Sequence, residues 1–313
     1  QGFIRGFPIN VSFDGGSFLF GRRFSLELYE RVEILKGPNS FHSGIRFNGG
    51  VGGSINYVTK KPREEDFTRA TFLDGVGSQF GGSVDTSHRF GTDDAFGVRA
   101  NLAYRDGEIA IQGVREENRV SHIALDWRTD WLKVELQYGD TFGRVDGTLN
   151  GIGLAPGVPI PDAPDGRRFA GPEAAFQSFD YQFVRGAITI TPSDSLVIFA
   201  NAGLGKVNEE YFFNFPRIIN AAGDIPIDPA NIFRESLRSD WGDIYSIDAG
   251  GRLSFRTGSV DHRLMVAASF NQVEDSIGFG LAIGDTVPFV ANFDDPASLQ
   301  FTPPPFSEPQ LFP

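Results

Sequence analysis

Hydrophobic and polar residues alternate along much of the chain with a period of two. The clearest case is the segment 245–256, in which every second residue is apolar or glycine and most of the others are polar. Successive side chains of a β-strand point to opposite faces, so the pattern predicts a strand with one apolar and one polar face. The apolar face carries Tyr245, Ile247, Leu253 and Phe255, and the polar face carries Asp248, Arg252 and Arg256.

The same alternation recurs in 96–105, 132–138 and 264–270. With the neighbouring apolar stretches, nine strands are predicted, at 66–76, 80–90, 95–106, 116–129, 131–142, 179–191, 195–207, 242–257 and 260–274. Many of these segments are longer than the usual soluble strand of about 5 or 6 residues. They match a tilted membrane-spanning strand of roughly 9 to 11 residues with extensions.

A soluble β-sandwich also alternates, with its apolar face inward, so alternation alone leaves two architectures open. The connections distinguish them, because every second one is very short, at 91–94, 129–130, 192–194 and 258–259. The intervening connections are long, apart from a tight first one around Gly77. Short turns at one end and long loops at the other are typical of outer-membrane barrels. The predicted fold class is an all-β, antiparallel transmembrane barrel.

The predicted barrel is incomplete in this chain. Single-chain bacterial barrels use an even number of strands, whereas nine are predicted here. The segment 301–305 has the composition of a loop, and the first residue is Gln1 rather than Met. We therefore expect a natural chain that continues beyond both ends.

The amino-acid composition excludes several other classes of protein and of site. Although 40% of the residues are hydrophobic, the mean hydropathy is only -0.18, as expected for alternating strands. No stretch approaches the roughly 18 consecutive apolar residues of a membrane helix, which excludes helical spanning. The formal net charge of -12 argues against nucleic acid as a partner, because phosphates call for an excess of Lys and Arg. With 0 Cys, disulfides and thiolate metal sites are excluded.

The first 62 residues carry a series of motifs. The stretch YERVEILKGP at 29–38, followed by Gly49-Gly50 and by SINYVTKKP at 54–62, closely resembles the second half of the plug domain of TonB-dependent receptors. Earlier plug signatures are resembled, in the right order, by IRGF at 4–7 and by FDG at 13–15. The spacing of the long loops, with VDHRL at 260–264 and VPF at 287–289, is most similar to the ferric-siderophore, ferrichrome-like subfamily.

This resemblance implies two domains, the C-terminal half of the plug at 1–62 and the first part of the barrel at 63–313. It implies a complete barrel of about 22 strands with a plugged lumen, in the outer membrane of a Gram-negative bacterium. The implied activity is import of a ferric siderophore with energy relayed by TonB, which would bind a segment upstream of Gln1. Because the siderophore wraps the iron, no cofactor or protein metal ligand is expected. Outer-membrane lipid and lipopolysaccharide are the other expected partners.

The resemblance also implies two groups of site residues. Arg5 and Lys36 align with basic plug residues that face barrel-wall glutamates, although either could be an ordinary solvated base. The apical plug segments supply aromatic residues, which suit an organic ligand, and arginines, which suit an anionic chelate. The aromatic residues could equally pack against the wall. The candidate ligand-binding residues are Pro8, Ile9, Asn10, Phe18, Phe20, Arg22 and Arg23.

No catalytic site is predicted. The four histidines form no HExxH or other metal-binding spacing, and neither a GxSxG elbow nor a GxxxxGK[ST] loop is present. The alternatives are a TonB-dependent receptor for cobalamin, haem or an oligosaccharide, and an outer-membrane barrel hydrolase. A structural or adhesive barrel is disfavoured, because a passive barrel has no use for plug motifs.

Overall fold

The structure is a computed structural model. It describes residues 3–16, 25–37, 51–148, 153–163, 165–167, 175–218, 220, 224–226, 232–281, 290–292 and 310–311.

The N-terminal part forms a hairpin and a small sheet. Its strands are β1 (Phe3–Ile4), β2 (Phe7–Pro8), β3 (Asn10–Phe13), β4 (Tyr29–Lys36) and β5 (Gly53–Thr59). The hairpin pairs β1 with β2, and the small sheet has the order β3-β5-β4, in which β3 is parallel to β5 and β4 is antiparallel to it. A 3-10 turn at Leu26–Leu28 leads into β4. We call β3, β4 and β5 the N-terminal sheet.

The long strands of the rest of the chain build one large antiparallel sheet. Its long strands are β6 (Phe67–Asp74), β7 (Phe80–Phe90), β8 (Phe96–Glu108), β9 (Arg115–Arg128), β10 (Leu132–Asp146), β12 (Phe176–Ser193), β13 (Leu196–Ile218), β15 (Ile232–Thr257) and β16 (Val260–Leu281). Four short strands follow, β11 (Gly153–Leu154), β14 (Asp224–Pro226), β17 (Val290–Asn292) and β18 (Gln310–Leu311). Strand β11 runs parallel to β13, β18 pairs with β16, and β14 and β17 form a separate two-stranded sheet. Each long strand pairs with the next long strand along the chain, and β6 is unpaired with β16 within the described ranges.

All nine predicted strands are confirmed, and several are longer than predicted. The predicted strands 195–207 and 242–257 were too short at the ends that face each other, because β13 and β15 stay paired from Asn208↔Asp240 out to Pro216↔Ile232. The alternation of apolar and polar residues weakens in this region, where neither face needs to be apolar. Backbone pairing continues without that signal, so periodicity alone ended the strands too early.

Burial in the large sheet is reversed relative to a soluble protein. Large apolar residues such as Leu102, Leu136 and Ile247 are about half exposed on the outer face. Polar and charged residues are buried on the inner face, among them Asn101 and Gln137. A soluble sandwich would bury the apolar face, so that alternative is wrong and the sheet is a transmembrane barrel wall. In the described part of the chain, no helix is long and apolar enough to cross a membrane.

A hydrophobic cluster lies between the N-terminal sheet and the inner face of the wall. The Phe13 and Tyr57 rings stack with their centroids 5.3 Å apart, and Tyr29 lies 4.9 Å from Tyr57. From the wall, Tyr181 and Phe183 stack at 5.6 Å. Aromatic pairs at these separations add to the free energy gained by burying their area. The N-terminal sheet is thus held against the wall by apolar packing as well as by the polar contacts described next.

Candidate functional site

The turn after β3 places one carboxylate at the boundary between the N-terminal sheet and the wall. Asp14 has a positive φ of 48°, which Asp tolerates better than most residues, and Gly15 follows with a φ of 77°. The Asp14 carboxylate accepts hydrogen bonds from the Thr59 backbone amide at 3.0 Å and from the Thr59 hydroxyl at 2.6 Å. These bonds fix the carboxylate at the end of β5, where it faces the wall.

Two wall strands donate to the same carboxylate. Arg185 of β12 donates from Nη1 to Asp14 Oδ2 at 2.6 Å, and Gln137 of β10 donates from Nε2 at 3.4 Å. The Asp14 and Arg185 side chains are only 3% and 5% exposed. Arg185 also donates to Asn201 Oδ1 at 3.1 Å. Removing one partner of a buried ion pair costs about 3 to 5 kcal/mol, because the other charge is left without compensation.

A second buried group is centred on Arg99 of β8. Its guanidinium donates to both carboxylate oxygens of Asp85, at 2.9 and 2.8 Å, and pairs with Glu30 of β4 at 2.9 Å. Lys60 reaches the same Asp85 carboxylate at 3.1 Å. With its amide oriented to donate to the Glu27 carbonyl, Asn101 also accepts from Lys60 Nζ at 2.6 Å. Every charge in this group is therefore paired across the boundary.

A third contact lies at the 3-10 turn. Glu27 pairs with Arg105 of β8, and the Ser25 hydroxyl donates to Asn118 Oδ1 of β9 at 3.0 Å. In the pairs Asp14–Arg185, Glu30–Arg99 and Glu27–Arg105 the arginine belongs to the wall and the acid precedes it in the N-terminal part. Lys60 with Asp85 has the opposite arrangement, because there the acid belongs to the wall.

The contacts shift the pKa values of two groups outside the wall strands. Burial raises the pKa of the Glu30 carboxyl, but the hydrogen bonds and charges of Arg63 and Arg99 outweigh it, so that the pKa lies below its ordinary value. Burial lowers the pKa of the Lys60 ammonium, and the Asp85 carboxylate opposes this shift only in part. Both shifts follow from moving charges out of water into a paired, partly dry interface.

Comparison with known proteins identifies this arrangement. No protein-family model matches the chain. It is 30% identical over 229 residues, 72% of its length, to the ferrichrome receptor FcuA of Yersinia enterocolitica, of which it spans 30%. The crystal structure of BauA, the ferric preacinetobactin receptor of Acinetobacter baumannii, covers 99% of the chain at 29% identity with a TM-score of 0.86. The chain is a homologue of the TonB-dependent siderophore receptors. It covers 46% of the BauA chain, so it spans less than half the length of these relatives.

More distant relatives agree on the fold and on the class. The ferrichrome outer membrane transporter and phage receptor of Escherichia coli is 22% identical over 306 residues, and the chain spans 38% of it. The ferripyoverdine receptor of Pseudomonas aeruginosa has a TM-score of 0.79 at 17% identity, which shows the fold alone. The relatives named here are receptors or transporters. The large sheet is a barrel wall, the N-terminal sheet packs on its inner face, and the chain lies in the outer membrane.

The plug residues predicted to face acidic wall residues lie at exposed positions. Arg5 has a φ of 52° in the turn between β1 and β2, and Lys36 ends β4. Within the described ranges neither forms an ion pair, and their pairing with glutamates of the barrel wall stays a prediction. The sequence motifs indicated none of the contact residues Asp14, Glu27 and Glu30, although Asp14 lies within the FDG motif at 13–15.

The predicted ligand-binding residues are described only in part. Pro8 ends β2, Asn10 begins β3, and Ile9 between them is 6% exposed. The other four, Phe18, Phe20, Arg22 and Arg23, lie outside the described residues. Their assignment to a ligand stays a prediction.

Proposed function

We propose that the full-length protein binds a ferric siderophore at the cell surface and imports it across the outer membrane in a TonB-dependent manner. The observation that carries this proposal is the plug end docked on the inner face of the wall through buried ion pairs, in a chain 30% identical to a ferrichrome receptor. In the complete barrel, a plug held in this way would block diffusion of a siderophore. Import then requires work on the plug, and TonB is the proposed source.

The proposed roles of the different parts of the chain follow from the sequence motifs. Residues 1–62 would be the end of the plug, and residues 63–313 would be the first part of the barrel. The siderophore would meet the plug at the predicted apical residues, namely Pro8, Ile9, Asn10, Phe18, Phe20, Arg22 and Arg23. Arg5 and Lys36 would pair with acidic residues in the later part of the wall. Because the chelator supplies all the iron ligands, the protein would need no resident cofactor.

Lipid and lipopolysaccharide are proposed as the partners of the outer face. Support comes from the exposed apolar side chains there and from the exposed aromatics Trp127 and Trp131 beside a short turn. Aromatic residues are enriched where a barrel meets the two membrane interfaces.

A chelate of another metal is the second candidate cargo. It is favoured by 38% identity over 79 residues to the metal-pseudopaline receptor CntO of Pseudomonas aeruginosa, of which the chain spans 11%.

Uptake in a strain without its own siderophore receptors would test the proposed function. The full-length gene would be expressed with and without TonB. Binding and uptake would be measured with radiolabelled iron complexes of ferrichrome, preacinetobactin and pyoverdine, and with a radiolabelled complex of pseudopaline and a metal other than iron. We expect at least one complex to bind in both strains and to be imported only with TonB. Undiminished uptake without TonB would leave a passive pore, and binding of none of the complexes would favour a different class of ligand.

A further inference from the structure

A cavity of about 250 Å³ lies on the inner face of the wall, at the end from which the long connections leave. It is lined by the first residues of β9, by the last residues of β10 and by Phe179 of β12. Alternation along the strands turns the side chains of Glu116, Asn118 and Val145 to this face, together with Phe179. Gly143 has no side chain, and the Phe179 ring lies over it, since an added Cβ would be 2.2 Å from Phe179 Cζ.

Both polar side chains that line the cavity from the inner face offer hydrogen-bond acceptors. The Glu116 carboxylate is half-buried, and among the described residues it has no ion pair or hydrogen bond. Asn118 Oδ1 accepts from the Ser25 hydroxyl at 3.0 Å and, like any amide oxygen, has a second lone pair. The cavity therefore holds a negative charge that is partly removed from water and is left for a ligand to compensate.

The other charged residues that border the cavity point to the outer face. Alternation turns the side chains of Glu117 and Arg144 outward. Glu117 pairs there with Arg119 at 3.4 Å, and Arg144 pairs with Asp146 at 2.8 Å. The charge that faces the cavity is thus that of Glu116.

The inner surface around the cavity is acidic as well. The register of β12 and β13 places Glu209 beside Phe179. Of the inward-facing residues in 116–120, 141–145, 177–181 and 207–211, two are carboxylates, Glu116 and Glu209, and none is lysine or arginine. On the neighbouring strand β8, Arg105 lies opposite Asn118, but it is paired with Glu27 of the 3-10 turn.

These features determine the charge of a ligand that the cavity can hold. A primary ammonium has three donors and no acceptor, so it fits a site where a carboxylate and an amide oxygen both accept. The face of an aromatic ring attracts the same cation. An anionic group would instead meet the uncompensated Glu116 carboxylate, and such a like-charge contact selects against it.

We propose that this cavity binds a protonated primary amine of the imported chelate through Glu116, Asn118 and Phe179. This inference rests on the proposed function, since it names the chemistry of one part of the cargo. The apical arginines Arg22 and Arg23 would meet an anionic part of the same chelate. The cavity would let the receptor distinguish a chelate with a free amine from one whose amine is acylated.

Binding to the full-length receptor in cells without TonB would test the inference, because transport then does not contribute. The probe would be ferrioxamine B, a ferric trihydroxamate that ends in a primary amine. Its N-acetylated form has the same iron centre and no charge on that arm. Glu116→Gln would remove the inward carboxylate, and Glu117→Gln, the matched control, would remove the same charge from the outer face. The iron complexes of ferrichrome, preacinetobactin and pyoverdine would be measured alongside.

We expect the unaltered receptor to bind ferrioxamine B about 10 fold or more tightly than its N-acetylated form. Glu116→Gln should weaken binding of the amine-bearing complex by about 10 to 150 fold, the effect of losing one charge-assisted hydrogen bond, and should leave the acetylated complex unchanged. Glu117→Gln should change the affinity for neither.

Equal affinity of the unaltered receptor for the two forms would overturn the inference, even if Glu116→Gln failed to fold. Should the receptor bind only another complex of the panel, the affinity of Glu116→Gln for that complex decides. A weaker affinity would support the inference, and an unchanged one would overturn it. Binding of none of the complexes would count against the proposed function instead.

Discussion

Asp14 Oδ2 lies 2.6 Å from Arg185 Nη1, although the two residues are 171 positions apart in sequence. Both side chains are almost fully buried, and each has further partners, Thr59 on the plug side and Asn201 on the wall side. The pair joins the turn after β3 to the middle of β12. It is a direct link between the plug and the wall.

Replacing Arg185 with Ala should loosen the plug. The Asp14 charge would stay buried without its main partner, which costs about 3 to 5 kcal/mol. Calorimetry of the full-length receptor would measure this as a lower plug unfolding temperature. Arg31→Ala is the matched control, because the Arg31–Glu33 pair is 60% and 48% exposed and such pairs contribute about 0 to 1 kcal/mol. Equal effects of the two variants would contradict the importance of the buried pair.

Lowering the pH should weaken the contact between the plug and the wall, partly because the Glu30 carboxylate becomes protonated. A carboxyl whose pKa is lowered in the folded state stabilises that state fully above its unfolded pKa, roughly 4.3 for Glu, and this stabilisation is lost as pH falls through the folded pKa. Protease digestion of the plug at decreasing pH should therefore accelerate less in Glu30→Gln than in the unaltered receptor. Glu33→Gln is the comparison, because Glu33 bonds to Asn56 and Arg31 within the plug. Identical pH profiles for the receptor and Glu30→Gln would refute the assignment.

Gly139 of β10 should tolerate no side chain, because the Phe183 ring lies over it. An added Cβ would be 2.1 Å from Phe183 Cε1, and overpacking of this kind costs about 1 to 3 kcal/mol. Gly139→Ala should lower the unfolding temperature of the barrel, whereas Gly186→Ala should not, since its Cβ would meet only the Glu135 carbonyl oxygen at 3.8 Å. The double variant Gly139→Ala with Phe183→Ala should lose less than the sum of the single variants. Additive losses would show that the ring and the glycine are independent.

Cysteine labelling can determine which side chains of β15 face the lipid and which face the lumen. Ile247 is 54% exposed on the outer face and Asp248 is 8% exposed on the inner face, and the ladder with β16 continues without a register shift from Ile244 to Thr257. In the full-length receptor, a lipid-soluble reagent should modify Leu253→Cys and a water-soluble one should modify Arg252→Cys. The opposite result would mean that the residues of β15 assigned to the outer face lie on the inner face, and the reverse.

Arg22 and Arg23 are the residues proposed to bind an anionic chelate. A charge-assisted hydrogen bond contributes about 1.5 to 3 kcal/mol, so losing one should weaken binding by about 10 to 150 fold. The affinity of Arg22→Ala and Arg23→Ala full-length receptors for ferric siderophores would be measured, with Arg5→Ala as a control that should alter gating more than affinity. Unchanged affinity in both folded variants would move the search for the site to the extracellular loops.

The sequence by itself determined the wall and its orientation. A strand that separates lipid from an aqueous lumen must alternate, so the pattern at 245–256 predicted both a strand and the outward position of Ile247. The sequence could not predict that β13 continues past residue 207 and that β15 begins before residue 242. Beyond the bilayer neither face of a strand has to be apolar, so only the backbone pairing continues there.

Only the tertiary structure decided which charges meet. Period two predicts that Arg99 points inward, but nothing in its neighbourhood along the chain indicates that Glu30 and Asp85 will be its partners. The same holds for Asp14 and Arg185, which meet only when the plug end packs inside the curved wall. An ion pair depends on the position of two side chains in space, and a local pattern fixes only the direction of each. For that reason the motifs indicated Arg5 and Lys36, whereas the described contacts join Asp14, Glu27 and Glu30 to arginines of the wall and join Lys60 and Lys61 to the wall acids Asp85 and Glu135.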